Sequence, residues 1–372
     1  MTTRAKERII LVDISVEVPT YNEAENIPVL IEKLEKLKLD LEIIIIDDGS
    51  PDGTAKIAED LGKKYGNIKV LERGSKQGLA TAIRDGMKLA TGKYIAVMDA
   101  DLQHPPETLE QMYAAIEKGN DMVIASRYMA GGSAEEFSFF RKLVSKSATF
   151  IAHLMLQETK VLTDPLSGFF VFRKGIIEQD KINSSGYKIL LEILVKGSGT
   201  KLIEVPYTFN PRLKGKSKLS VTENLNYLRL VFSLSGYRPL KFVGVGLSGI
   251  FVNEGILYLL AYSGFFHGAI THPVFAAIPS IEFSILTNFA VNNFWTFGNR
   301  KKGHLISKAA RYNMFAGIGG VINYVAFVLL TLGISFNYLA LNLLGIFFGV
   351  FANYIFSELF VWPKENELKK VQ

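Results

Sequence analysis

The chain has 372 residues, of which 48% are hydrophobic and 21% charged, with a formal charge of +6. That balance excludes a disordered or fibrous chain, and the length suits two to three domains of about 150 residues each. Cysteine is absent, which excludes disulfide scaffolds, thiolate-held zinc, iron–sulfur clusters and thiol catalysis, and predicts a cytosolic face for the chemistry.

Ile9 to Val18 contains a strand-like run that Glu17 interrupts. Thr20 to Lys38 reads as a helix, with Ile27, Leu30, Ile31, Leu34 and Leu37 at helical spacing. Leu41 to Ile46 is an apolar, β-branched run of the kind found in buried parallel strands, and it ends at Asp47 and Asp48. Thr54 to Tyr65 is helical in pattern, Ile68 to Leu71 a strand, Leu79 to Ala90 a helix, and Tyr94 to Met98 a buried strand ending at Asp99. This alternation predicts a parallel sheet flanked by helices, a Rossmann-like α/β domain with its ligands at the carboxyl ends of the strands.

The strand ends carry the chemistry. Residues two apart on extended backbone point the same way, so Asp99, Asp101 and Gln103 can present oxygens to one point. Hard oxygen ligands suit Mg²⁺ or Mn²⁺ bridging to a diphosphate; an acidic turn without metal is the alternative. Pro19-Thr20-Tyr21-Asn22-Glu23 and Asp47-Asp48-Gly49-Ser50 follow the first two strands, where a nucleotide would lie. Glu23 and Asp48 could equally cap helix N-termini. Arg73 to Ala80 is a glycine-punctuated basic turn opening a helix, able to steady phosphate oxygens. His104, beside Pro105, reads as a structural loop histidine. No Walker A or Gly-x-Ser-x-Gly sequence occurs.

In Phe137 to Leu156, residues Phe140, Leu143, Val144, Ala148, Ile151, Leu154 and Met155 form an apolar stripe, with Arg141 and Ser145 four apart on the polar face. Val221 to Leu234 has a similar mixture, and both suit a membrane surface. Residues 1–237 hold 32 basic and 31 acidic side chains, whereas residues 238–361 hold only 7 and 3. The first part is thus near neutral, which argues against a nucleic-acid partner. The basic surplus lies in the hydrophobic part and points to a lipid bilayer. Four apolar stretches, Phe242 to Ser263, Pro273 to Phe297, Tyr312 to Ile334 and Tyr338 to Trp362, each exceed the ~20 residues a spanning helix needs. Lys and Arg gather before the first, between the second and third, and after the fourth. A multi-pass membrane protein is expected, with the N-terminal domain and both termini in the cytoplasm. Glu254, Glu282 and Glu358 within the spans are functional candidates or helix–helix partners, and Phe242–Tyr262 and Phe315–Leu332 are weakly alike, which suggests a repeated hairpin.

Taken together, the three strand-end segments resemble the family 2 inverting glycosyltransferases of the GT-A fold, over about Ser15 to Lys218. Asp-Leu-Gln-His-Pro-Pro-Glu at 101–107, Ala125-Ser126-Arg127-Tyr128, Thr163 to Phe169 and the basic Pro211 to Leu219 narrow this to the dolichyl-phosphate mannosyltransferases. The four spans look like the GtrA-like domain fused to some of them. Residues 1–13 depart from that family's short N-terminus. The resemblance implies an α/β GT-A domain over 1–218, an interface helix or linker over 219–237, an all-α membrane domain of four transmembrane helices over 238–362 and a tail over 363–372.

It further implies that Pro19, Tyr21, Glu23, Asp48 and Ala100 bind the nucleotide-sugar, and that Asp99, Asp101 and Gln103 hold Mg²⁺ or Mn²⁺. Arg212 and Lys218 would hold the donor diphosphate, and Arg127, Arg141 and Ser145 the phosphate of a dolichyl or other polyprenyl acceptor. GDP-mannose is the donor implied. UDP-glucose, and translocation of lipid-linked sugar by the membrane part, stay open as alternatives. An ionised acceptor oxygen needs no general base, so the chemistry asks for cations rather than a proton acceptor.

Overall fold

The computed structural model of the chain describes residues 12–134, 139–183, 188–199, 201–211, 221–261, 273–300, 303–333, 337–363 and 369–370. It divides into two compact units, Met1–Leu234 with Asn366–Gln372, and Ser235–Glu365.

The first unit is built on an eight-stranded sheet in the order β3-β2-β1-β4-β6-β5-β7-β8. In chain order the strands are β1 (Ile14–Thr20), β2 (Leu41–Asp47), β3 (Ile68–Glu72), β4 (Tyr94–Val97), β5 (Met122–Ser126), β6 (Phe170–Arg173), β7 (Lys201–Pro206) and the two-residue β8 (Lys369–Lys370). Helices α1 (Ile27–Leu34), α2 (Thr54–Tyr65), α3 (Leu79–Gly86), α4 (Thr108–Ile116), α5 (Phe139–Met155), α6 (Ile189–Lys196) and α7 (Val221–Leu234) complete the unit. Both faces of the sheet are covered. Ile43 and Ile45 of β2 pack with α1, and Ile44 and Ile46 of the same strand pack with α3. That is why β2 is apolar without alternation.

Two differences from the sequence reading matter. Helix α1 begins only at Ile27, because Tyr21 to Glu25 form a turn in which Asn22 takes a left-handed φ of 59°. The sheet is also mixed rather than parallel, since β6 runs antiparallel to both β4 and β5. Because the connection through α5 returns to the end of the sheet where β5 finishes, β6 starts at the carboxyl ends of its neighbours, with Phe170 opposite Val97 and Ile124. Its leading loop, 164–168, is thereby delivered to the rim where Asp99 and Arg127 emerge.

Among the described residues the second unit is helical: α8 (Arg238–Ala261), α9 (Pro273–Val291), α10 (Leu305–Gly333) and α11 (Tyr338–Phe356). Three helices, Arg238–Leu260, Leu305–Gly333 and Tyr338–Val361, are long and apolar enough to cross a membrane. Helix α9 has 19 residues with Pro279 inside it, just under the ~20 a crossing needs. Helices α9 and α11 each run into a π-turn, Asn292–Thr296 and Ser357–Val361.

These turns mark a duplication. Gly249 lies against the Asn288 side chain and Gly319 against that of Asn353; the glycines are 70 positions apart and the asparagines 65. The same offsets pair Phe242 with Tyr312, Phe289 with Tyr354, and Phe297 with Trp362, and all six rings share one buried cluster. The expected pairing of Phe242 with Phe315 is therefore corrected by three residues, to Tyr312. Glu358, fully buried, accepts from Arg238, from Arg300 at 2.6 Å and from Tyr354 Oη at 3.1 Å. The partner reading of that acid holds.

Candidate active site

A cleft of about 470 Å³ opens at the carboxyl rim of the sheet, within the usual size range of small-ligand sites. It gathers Pro19, Tyr21, Glu23, Asp48, Asp99, Ala100, Asp101, Gln103, Arg127, Arg141 and Ser145. Arg212 and Lys218 lie outside the described residues.

On the β1–β2 side, local turns aim the side chains. Asp47 accepts from Thr20 Oγ1 (2.9 Å), Ser50 N (2.7 Å) and Ser50 Oγ (2.6 Å), which closes the turn after β2. Asp48 is ion-paired with buried Arg73 and accepts from Gly78 N at 3.1 Å, at the entry to α3. Asn26 Nδ2 donates to Glu23 at 2.6 Å, at the entry to α1. Both acids thus help to hold helix starts while also lining the cleft. Lys76, from the basic turn, stands 4.3 Å over the Tyr21 ring.

After β4 the chain turns sharply, with Leu102 at a left-handed φ of 63°, a conformation costing a leucine roughly 1 kcal/mol. Asp101, buried, accepts from Gln103 N at 3.1 Å. Asp99 N donates to His104 Nδ1 at 3.1 Å, and the His104 ring stacks on Phe169 (centroids 5.2 Å apart), flanked by Tyr207 and Phe209. Burial lowers the His104 pKa to about 4. The ring is therefore neutral with Nδ1 as acceptor, and its 3.9 Å approach to the Asp99 carboxylate is no ion pair.

This donor set fits a divalent cation. It offers two carboxylates and an amide, all hard oxygen. Gln103 Nε2 donates to Asn210 O at 3.3 Å, which turns Oε1 the other way. Among the described residues no group of three or more His, Cys, Asp or Glu is placed to hold a metal. A magnesium-type site needs none, since one or two carboxylates plus substrate phosphates suffice.

On the opposite wall, Arg127 forks onto buried Asp164, with Nε to Oδ2 at 2.7 Å and an Nη to Oδ1 at 2.8 Å. Burial works against the Arg127 charge, but bonding and attraction to Asp164 outweigh it and shift its pKa upward. Asp164 N and Thr163 N both donate to Glu204 of β7, at 2.9 and 2.8 Å. The Phe209 ring lies under both Arg127 (5.5 Å) and Arg141 (6.0 Å). Ser145 Oγ is 2.8 Å from Tyr128 Oη. The apolar residues of α5 split three ways: Val144 and Ala148 line the cleft, Ala152 and Met155 are buried, and Phe139, Phe140, Leu143 and Phe150 are exposed.

Sequence reasoning missed Lys188, Phe209, Glu223, Asn224, Asn226 and Tyr227, all of which line the cleft. Thr163 to Phe169 stood out as a segment, yet the grip of Asp164 on Arg127 spans 37 positions and leaves no local signal. Lys188 belongs to no motif. Burial foremost, then Arg127, lowers its pKa to about 8.

Comparison with known proteins identifies the family. Residues 15–180 match the glycosyl transferase family 2 model and residues 241–362 the GtrA/DPMS transmembrane domain model. The chain is 41% identical over 357 residues to a dolichol-phosphate mannosyltransferase of Pyrococcus furiosus, covering 94% of this chain and 99% of that one. It is 33% identical to a dolichol-phosphate mannosyltransferase of Saccharomyces cerevisiae, over 59% of this chain and 85% of that one. Among solved structures, glucosyl-3-phosphoglycerate synthase from Mycobacterium tuberculosis in complex with Mn²⁺, UDP-glucose and phosphoglyceric acid matches 60% of this chain and 80% of that one, at 18% identity and a TM-score of 0.46. The chain belongs to the dolichol-phosphate mannosyltransferase family, and in it a family 2 glycosyltransferase domain is joined to a GtrA/DPMS transmembrane domain.

Proposed function

We propose that the chain transfers mannose from GDP-mannose to dolichyl or another polyprenyl phosphate, with inversion, to give the β-mannosyl lipid phosphate and GDP. The observation that carries this is one cleft combining donor-type and acceptor-type residues, in a chain 41% identical over nearly its full length to a dolichol-phosphate mannosyltransferase.

Pro19, Tyr21, Glu23, Asp48 and Ala100 hold the nucleotide-sugar, and Arg212 and Lys218 bind its diphosphate. Asp99, Asp101 and Gln103 hold Mg²⁺ or Mn²⁺, which when bound would neutralise the diphosphate and ease its departure. Arg141 and Ser145, one turn apart on α5, donate to the acceptor phosphate, each charge-assisted bond contributing ~1.5–3 kcal/mol. Arg127, its plane preset by Asp164, adds to the same field. Attack is in line: an acceptor oxygen bonds to the anomeric carbon as the bond to the β-phosphate oxygen breaks, and that electron pair leaves with GDP. A phosphate monoester with a second pKa near 6 is already ionised, so no side chain takes a proton. His104, neutral and committed to the Asp99 amide, serves as no base.

The bilayer completes the reading. The lipid acceptor meets the cleft along exposed Phe139, Phe140, Leu143 and Phe150. The second unit crosses the membrane four times with α9 included, keeping the catalytic unit and both termini cytoplasmic by the distribution of Lys and Arg.

Radiolabelled GDP-mannose and UDP-glucose, each offered with dolichyl phosphate in detergent, test this. Transfer from GDP-mannose is expected, abolished by chelator and restored by Mg²⁺ or Mn²⁺. Transfer only from UDP-glucose, or undiminished transfer in chelator, would overturn the donor or the metal reading respectively.

A further inference from the structure

Lys188, immediately before α6, lines the cleft and donates from Nζ to the carbonyl oxygen of Leu166 at 2.8 Å. Leu166 belongs to the loop 164–168, whose Asp164 also holds Arg127. One short loop thus tethers two cations from separate parts of the chain to a single wall of the site. Arg127, Asp164, Asp99 and Glu223 act electrostatically on the ammonium. These belong to the Arg127 wall, the metal loop and α7.

We propose that Lys188 binds the phosphate of the lipid acceptor, beside Arg141 and Ser145; this rests on reading the cleft as a polyprenyl-phosphate transferase site. A phosphate monoester brings a charge of about −1.5 to −2, more than one guanidinium matches. The charge of Arg127 is already met by buried Asp164, and Asp99 sits in the metal loop. An ammonium is a compact point charge with three donors, and its bond to Leu166 sets its direction. It lines the same cleft as the metal loop and the Arg127 wall and feels the charges of both.

The test is binding of farnesyl phosphate to the full chain in detergent by calorimetry, with GDP as the second arm. Lys188→Gln removes the charge while keeping a donor for Leu166, and Lys188→Arg keeps the charge. Farnesyl phosphate affinity in K188Q is expected to fall about tenfold or more, a shift that calorimetry resolves readily. GDP affinity should stay near wild type, and K188R should recover most of the loss. Three results would each overturn the proposal. One is unchanged farnesyl phosphate binding in K188Q. Another is a larger loss for GDP, which would assign the lysine to the donor diphosphate. The third is an equal loss in K188Q and K188R with a lowered Tm, which would make it a structural clasp. Wild-type chain that binds farnesyl phosphate but transfers no mannose would sink the donor reading alone.

Discussion

At the scale of single residues, the metal loop depends on His104 as much as on its acids. The ring does three things at once: it fills a pocket of Phe169, Tyr207 and Phe209, it accepts the Asp99 N–H, and it stays neutral because burial disfavours its charge. Gly168 gives it room, since a Cβ there would sit 3.3 Å from the ring and 3.5 Å from Asp99 Oδ2. His104→Phe would retain the packing and remove the acceptor of the partly buried Asp99 amide, a loss of about 1 kcal/mol. The expected outcome is a Mn²⁺ affinity about tenfold weaker with the fold intact, read by electron paramagnetic resonance titration of the full chain. Unchanged Mn²⁺ binding would reduce His104 to a packing residue. The sequence-only view took this histidine as a structural loop residue, and missed that it holds the backbone of a proposed ligand.

Among the elements, α5 does the most. One face carries Arg141 and Ser145 into the cleft, another buries Ala152 and Met155, and a third leaves Phe140 72% exposed and Phe150 60% exposed. Exposed aromatic area of this kind marks a surface meant for another phase or partner, and here the acceptor is a lipid. Phe140→Ser with Phe150→Ser should lower turnover with dolichyl phosphate in liposomes several-fold while sparing that with water-soluble short-chain prenyl phosphates. Equal effects on both acceptors would exclude a lipid-contact role. The helix was legible as amphipathic from its spacing, but its three-way division was not, because that depends on the positions of Tyr128, Tyr227 and the loop after β5. Tyr227 Oη donates to Ala148 O at 2.5 Å, which ties α7 to α5 across 79 positions of chain.

For the molecule as a whole, stability carries a cost inside the sheet. Glu17 on β1 lies between Ile44 of β2 and Val97 of β4, fully buried, and neither carboxyl oxygen has a hydrogen-bond partner among the described residues. Burial first, then the nearby Glu42, raises its pKa well above 4.5. The folded state therefore holds a proton that the unfolded state releases. Its stabilising contribution is complete below pH 4.5 and is lost as pH rises towards the folded value, at up to ~1.4 kcal/mol per pH unit. Glu17→Gln keeps the shape and removes the titration. Melting temperature should therefore decline less steeply above pH 4.5 in the variant than in wild type, and matching pH profiles would refute the assignment. In the second unit Glu358 closes a pair of arginines, and removing one side of such a buried group typically costs ~3–5 kcal/mol.

Most of the architecture was readable from residue order. Apolar runs without alternation mark strands covered on both faces, acids and glycines after each run mark the rim, and a collapse in charge after residue 237 marks the lipid-facing part. These signals are local, because hydrogen-bond geometry and the solvent on each face act over a few residues at a time. The antiparallel β6, the coupling of Arg127 to Asp164 and the arrival of Lys188 in the cleft were settled only when the chain closed on itself. Each joins groups 22 or more positions apart, and no periodicity in the intervening segment encodes such a meeting. Charges of opposite sign find one another by burial and distance, and both are properties of the packed molecule.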